Sequence, residues 1–224
     1  SAKPVRPGAY SIPAHATRVF DALSSLGVQS FVLGLHDIGG FVGWEMLASS
    51  PHRIRGLVVA NTSAYADGLS PAPRVAEIVS GMKTPQEAWE QLSAPEFASM
   101  VAREFLEIGV AEPTALSDQL VAAYAGPLSE GSSEAFIEFF EGIGPVLMAE
   151  SARRQTLQAF PGEALVIHGT LDRFFSVDAV APLFQSDFSL PESRVVRVEG
   201  AGHYVQEDAP AEYVEAVVNF LGGF

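Results

Sequence analysis

Apolar positions alternate between two regimes along this chain. Ile12 to Leu26 carries them at helical spacing and Gly27 ends the run, so a helix is predicted there. Val28 to Leu35 is instead continuously apolar and β-branched, the pattern of a buried strand. Gly39-Gly40 turns the chain into a second helical stretch, Phe41 to Ser50, which stops at Pro51. Arg53 to Asn61, around Ile54-Arg55-Gly56-Leu57-Val58-Val59-Ala60, reads as a second buried strand. Helix, strand, helix, strand in that order predicts a parallel, doubly wound α/β sheet.

From Tyr65 to about Phe160 the pattern is helical, punctuated by Pro71, Pro73, Pro85, Pro95, Pro113, Pro127 and Pro145. No convincing strand interrupts it, and it reads as an inserted helical cap. Strand character returns at Ala164-Leu165-Val166-Ile167-His168 and at Ser193 to Val198, and an amphipathic helix closes the chain from about Ala209 to Leu221. The expected division is a core of residues 1–64 and 156–224 with a cap of residues 65–155.

Composition narrows the chemistry. At 224 residues and 48% apolar, the chain can bury a substantial core. Thirteen basic against 27 acidic side chains leave a formal charge of −14, which disfavours nucleic acid and anionic membrane as partners. There is no cysteine, so disulfides and thiolate catalysis are excluded. No apolar run approaches the roughly 18 residues of a membrane span and no signal peptide opens the chain, so a cytoplasmic protein is the default expectation. Five scattered histidines form no ligand pattern and no glycine-rich phosphate loop occurs, so neither metal nor nucleotide cofactor is expected. The expected partners are a small apolar organic substrate and water.

Three polar residues follow predicted strands. Asp37 lies at the turn in Leu35-His36-Asp37-Ile38-Gly39-Gly40, Asp172 in Gly169-Thr170-Leu171-Asp172, and His203 in Gly200-Ala201-Gly202-His203. Open α/β sheets place their ligands at these carboxyl ends. Strand, turn and helix around Asp37 resemble the nucleophile elbow of the α/β-hydrolase superfamily, written G-x-S-x-G in its serine form. Asp37, Asp172 and His203 also occur in that superfamily's nucleophile–acid–histidine order. The place after the second strand, where some relatives carry the acid, holds Asn61-Thr62-Ser63, so Asp172 is the natural acid.

An aspartate at the elbow implies displacement at an sp³ carbon and an alkyl-enzyme ester. In that scheme His203 activates the water that hydrolyses the ester, Asp172 orients His203, and the Ile38 N–H serves the oxyanion hole. The resemblance is closest to haloalkane dehalogenases, through Arg53 to Thr62, Gly200 to Asp208 and Ala123-Tyr124-Ala125-Gly126-Pro127-Leu128 in the cap. It assigns a halide-gripping role to Trp89 and a substrate-binding place to Tyr124. The pattern departs in two places. Leu35 stands where the elbow has a small residue, and Ile38 stands where dehalogenases carry tryptophan and fluoroacetate dehalogenases carry arginine.

Epoxide hydrolases tolerate isoleucine after the nucleophile because cap tyrosines protonate the opening oxygen, which directs attention to Tyr124 and Tyr65. Carbon–halogen hydrolysis is therefore the first expectation, epoxide hydrolysis the second, and a non-catalytic ligand-binding protein on the same fold the third. The superfamily's early oxyanion loop, a His-Gly pair, has no counterpart. Ser1-Ala2-Lys3-Pro4 resembles the stretch just after that loop, so the N-terminal strands of the fold are expected to be missing and the sequence to be a fragment.

Overall fold

Ser11 starts the first helix, α1 (Ile12–Ser25), by accepting the Ala14 N–H on its hydroxyl, and Pro13 sits in the first turn where its missing N–H costs nothing. Gly27 ends that stretch at φ 74°, a left-handed conformation that suits glycine. The computed structural model describes residues 8–66, 95–129 and 133–224. Among these residues four strands follow one another across one sheet: β1 (Phe31–His36), β2 (Ile54–Ala60), β3 (Glu163–Gly169) and β4 (Val195–Val198), every neighbour parallel.

Beside the sheet run α2 (Gly39–Ser49), α7 (Val177–Asp187), α8 (Val205–Asp208) and α9 (Pro210–Leu221). Between β2 and β3 lie α3 (Pro95–Gly109), α4 (Asp118–Ser129), α5 (Ser133–Met148) and α6 (Glu150–Gln158), with no strand among the described residues of that segment. The fold is the parallel sheet flanked by helices that the periodicity predicts.

The central strands read as unbroken apolar runs because both of their faces are covered. Leu57 and Val59 of β2, with Ala164 and Val166 of β3, join a core that includes Ile12, Phe41, Leu47, Leu157 and Phe184. Val58, Ala60, Leu165 and Ile167 point the other way, into a second cluster with Val198, Val205 and Phe220. Period-2 alternation thus feeds two cores from one run.

Several expected boundaries move. β1 starts at Phe31, not Val28, because the Arg53 guanidinium takes the Val28 and Gln29 carbonyls at 2.6 and 3.1 Å. α2 starts at Gly39, two residues before Phe41. The stretch Glu192–Arg194, expected to be partly strand, is a 3₁₀ turn. Pro127 and Pro145 do not break the cap pattern but lie within α4 and α5. Helices α7 and α8 were not anticipated. None of the described helices is long and apolar enough to cross a membrane.

Candidate active site

Asp37 follows β1 with φ 51°, a left-handed backbone that a non-glycine residue adopts only when its surroundings impose it. Three contacts do so. The Asp37 N–H donates to the Asn61 carbonyl at 3.1 Å, the Asp37 carbonyl accepts from Gly40 N–H at 2.9 Å, and the Thr62 hydroxyl donates to the same carbonyl at 2.6 Å. The close turn needs Gly40, where a Cβ would lie 2.2 Å from Thr62 Oγ1.

Leu35, the residue out of pattern, is buried against Gly43, whose added Cβ would meet Leu35 Cδ2 at 2.1 Å. Ile38 is the N-cap residue of α2, so its N–H belongs to the first turn, where donors lack an acceptor within the helix.

His203 comes into reach through a loop squeezed between β3 and the end of α3. A Cβ on Gly169 would stand 2.1 Å from the Gly202 carbonyl, and one on Gly202 2.2 Å from the Gly109 carbonyl. The His203 N–H donates to that Gly109 carbonyl at 2.6 Å. Asp208 fastens the same junction by accepting the Gly202 N–H at 2.7 Å and the Ala111 N–H at 3.0 Å.

The imidazole so placed bridges both carboxylates. Nδ1 lies 3.2 Å from Asp172 Oδ2, and Nε2 lies 3.4 Å from Asp37 Oδ1. Asp172 is immobilised by five donors. Oδ1 accepts the Phe174 and Phe175 N–H groups at 2.8 and 3.1 Å, while Asn61 Nδ2 at 2.8 Å, His203 and His168 approach Oδ2. Burial alone would neutralise this carboxyl, but the hydrogen bonds from His168 and His203 outweigh it and hold it well below the usual carboxylate range.

Burial likewise disfavours charge on His203, yet hydrogen bonds to Asp172 and Asp37 and the charges of both lift it to about 9. At neutral pH His203 is therefore an imidazolium held by the Asp172 carboxylate. Aromatic rings close around it: Phe174 at 4.6 Å, His36 at 4.8 Å, Tyr204 at 5.0 Å and Phe175 at 5.7 Å. His36 is lowered, first by burial and then by the charge on His203, and its Nε2 donates to the His203 carbonyl at 3.0 Å. Burial, and then the Asp37 charge, raise Tyr204.

The substrate-binding residues expected from the sequence fare differently. Tyr124 packs edge-on against Tyr204 at 5.6 Å, and its hydroxyl donates to Glu207 Oε1 at 3.1 Å. Tyr65 is fully buried in the core, and its hydroxyl donates to Asp187 at 3.0 Å, so it is not a cap tyrosine offering a free phenol. Trp89 lies outside the described residues. The other tryptophan, Trp44, spends its N–H on the Ser63 carbonyl at 3.0 Å. Among the described residues no cluster of His, Cys, Asp or Glu is arranged to hold a metal ion.

A family model for the alpha/beta hydrolase fold matches residues 1–210. The chain belongs to the alpha/beta hydrolase family. It is similar to 2-hydroxymuconate semialdehyde hydrolase of Pseudomonas putida, 26% identical over 216 residues, which cover 96% of this chain and 70% of that protein. It is also similar to epoxide hydrolase 1 of Caenorhabditis elegans, 23% identical over 239 residues, covering all of this chain and 56% of that protein. Among solved structures, a thermophilic esterase from Thermogutta terrifontis shares the fold at a TM-score of 0.74 and 19% identity, over 100% of this chain and 76% of that one.

Within this alpha/beta hydrolase, sequence reasoning missed Asn61, Thr62, His36 and His168 as members of the site. In the sequence Asn61 stands out only as a residue without a carboxylate, whereas its amide joins Asp172 to the Gly202 carbonyl. His168 carried a usable signal: a polar side chain directly after the apolar run Ala164–Ile167, four residues before Asp172.

Proposed function

We propose that this hydrolase works through an ester on Asp37: the carboxylate attacks an sp³ carbon, and water activated by His203 hydrolyses the ester at its carbonyl. The observation that carries the reading is the candidate nucleophile itself, a carboxylate at φ 51° with its Oδ1 3.4 Å from a buried imidazole that Asp172 orients. An aspartate there is ill suited to esters and amides, because the anhydride formed is more reactive than the substrate. Displacement at carbon yields a stable ester with a defined second step.

The substrate class follows from what the leaving atom requires. An epoxide oxygen needs a proton as the ring opens, and His203, lifted to about 9, carries one beside Asp37 at rest. Giving it up to the alkoxide leaves the neutral imidazole that the next step needs as base. Deprotonation of the attacking water returns the proton to His203. Collapse of the tetrahedral intermediate passes that proton to the departing diol oxygen, and the acid form of Asp37 reprotonates His203. The cycle closes with no net proton gained. An epoxide is therefore the substrate placed first here, in keeping with the likeness to the nematode epoxide hydrolase over the whole chain.

A halide leaves without a proton but needs N–H donors around it. Ile38 has none in its side chain, and the Trp44 N–H is already bonded to Ser63. Carbon–halogen cleavage, the first expectation of the sequence, is the second reading, with Trp89 as its halide donor.

The deciding experiment is intact mass of the protein quenched in acid during its first turnover with haloalkanes and with epoxides, His203 being kept because it supplies the proton in the epoxide reading. The quench traps the ester before water clears it. A gain equal to the whole epoxide supports the first reading, and a gain equal to the substrate less its halide supports the second. No adduct from either panel leaves Asp37 as a turn residue and the chain as a ligand-binding protein.

A further inference from the structure

Strand β3 is apolar from Ala164 to Ile167 and then buries an imidazole, His168, with no exposed surface. Its Nε2 faces two acceptors: the Phe175 carbonyl at 3.0 Å and Asp172 Oδ2 at 3.2 Å. A nitrogen aimed at a carbonyl and a carboxylate must bear the hydrogen, so the ring is the Nε2–H tautomer and forks between them. In that neutral tautomer Nδ1 is a bare lone pair, buried with no hydrogen-bond partner among the described residues. Leaving that atom unpaired is costly, which makes the contact on the other side of the ring a feature to be explained.

Asp172 Oδ2 is thus 3.2 Å from His168 Nε2 and 3.2 Å from His203 Nδ1. We propose that His168 is a positioning residue that sets the basicity of His203 by sharing this one carboxylate oxygen with it. The inference rests on the reading of His203 as the base. Every donor on Oδ2 draws electron density from the atom that stabilises the imidazolium. Without His168 the Asp172–His203 bond tightens, the imidazolium is favoured, and neutral His203 is reached only at higher pH.

Asn61 Nδ2, which carries no charge, also donates to Asp172 Oδ2 at 2.8 Å and stays in place in every variant. Asp37 faces His203 Nε2, and His36 and Tyr204 lie against its ring. Tyr124 and Glu207 pair beyond Tyr204, and Asp208 is bound to the Gly202 and Ala111 N–H groups. Arg197, opposite His168 on β4, is paired with Asp178.

The test is an NMR titration of the ¹⁵N-labelled imidazoles in the full chain, without substrate, for the natural protein, His168→Leu and His168→Gln. The natural protein should show His168 as the Nε2–H tautomer. In His168→Leu the His203 titration should move up by about one pH unit, and the acid limb of ester hydrolysis should move with it. In His168→Gln, whose amide restores a donor, both should return toward the natural position.

An Nδ1–H tautomer of His168, or an unmoved His203 titration in folded His168→Leu, overturns the proposal. The tautomer measurement decides even if His168→Leu does not fold. A shifted titration in a protein that turns over no epoxide or haloalkane would uphold the coupling and sink the hydrolytic reading. Turnover with an unshifted titration would do the reverse.

Discussion

Replacing Asp37 with asparagine removes one of the two charges that hold a proton on His203. The separation is 3.4 Å, and the Asp37 side chain is 35% exposed, so solvent screens the pair. With an effective dielectric of roughly 40–80 the attraction is about 1–2.5 kcal/mol, or about 1–2 pH units. His203, at about 9 in the intact site, should then titrate near 7–8 in Asp37→Asn.

The shift has a stability counterpart. The folded value lies above the model value of 6.5, so the stabilisation is complete below pH 6.5 and is lost as pH rises through 9. The full span corresponds to about 3 kcal/mol, and Asp172, held well below the usual carboxylate range, stays charged throughout this window and adds nothing to the change. Imidazole NMR gives the titration, and urea midpoints at the two ends of that window give the stability. His203→Gln serves as the reference for other alkaline ionisations. The natural protein should lose about 3 kcal/mol more than this reference, and Asp37→Asn about half as much. Equal losses in the two, or an unmoved His203, would refute the picture of an imidazolium held by Asp37.

Two further perturbations probe how the site is built. Gly43→Ala should cost about 1–3 kcal/mol, because the new methyl falls on Leu35 Cδ2. Adding Leu35→Ala should recover part of that loss in a double-mutant cycle, and strictly additive effects would contradict the close approach. Asp208→Ala strands the Gly202 and Ala111 N–H groups and should cost about 2–4 kcal/mol in denaturant unfolding. Turnover should fall further than stability alone explains, since His203 hangs on the same junction. Asp208→Asn, which keeps an acceptor oxygen, should fall between.

The sheet was legible because β2 and β3 are covered on both faces, which writes burial into the sequence as unbroken apolar runs. Asp37, Asp172 and His203 were legible as candidates because each follows a strand, and the structure brings the three side chains within hydrogen-bonding reach. What sequence reasoning could not see depends on pairs distant in the chain. Leu35 is tolerated only because Gly43 across the turn lacks a side chain. Val28 and Gln29 are kept out of β1 by Arg53, which lies 25 residues beyond Val28. His168 reads as the end of an apolar strand until the fold sets it on Asp172. Tyr65 stands in the sequence at the entrance of the cap, and only its packing on Phe184 and its bond to Asp187 put it in the core.

The central claim is that Asp37 forms a bond to carbon, and a single turnover in H₂¹⁸O with enzyme in excess over an epoxide tests it directly. Attack by Asp37 means that the oxygen newly bonded to carbon comes from the carboxylate. The account therefore predicts an unlabelled diol and one ¹⁸O in the peptide containing Asp37. Label in the diol with none in Asp37 would mean that water adds to the substrate directly, and the covalent mechanism would be wrong.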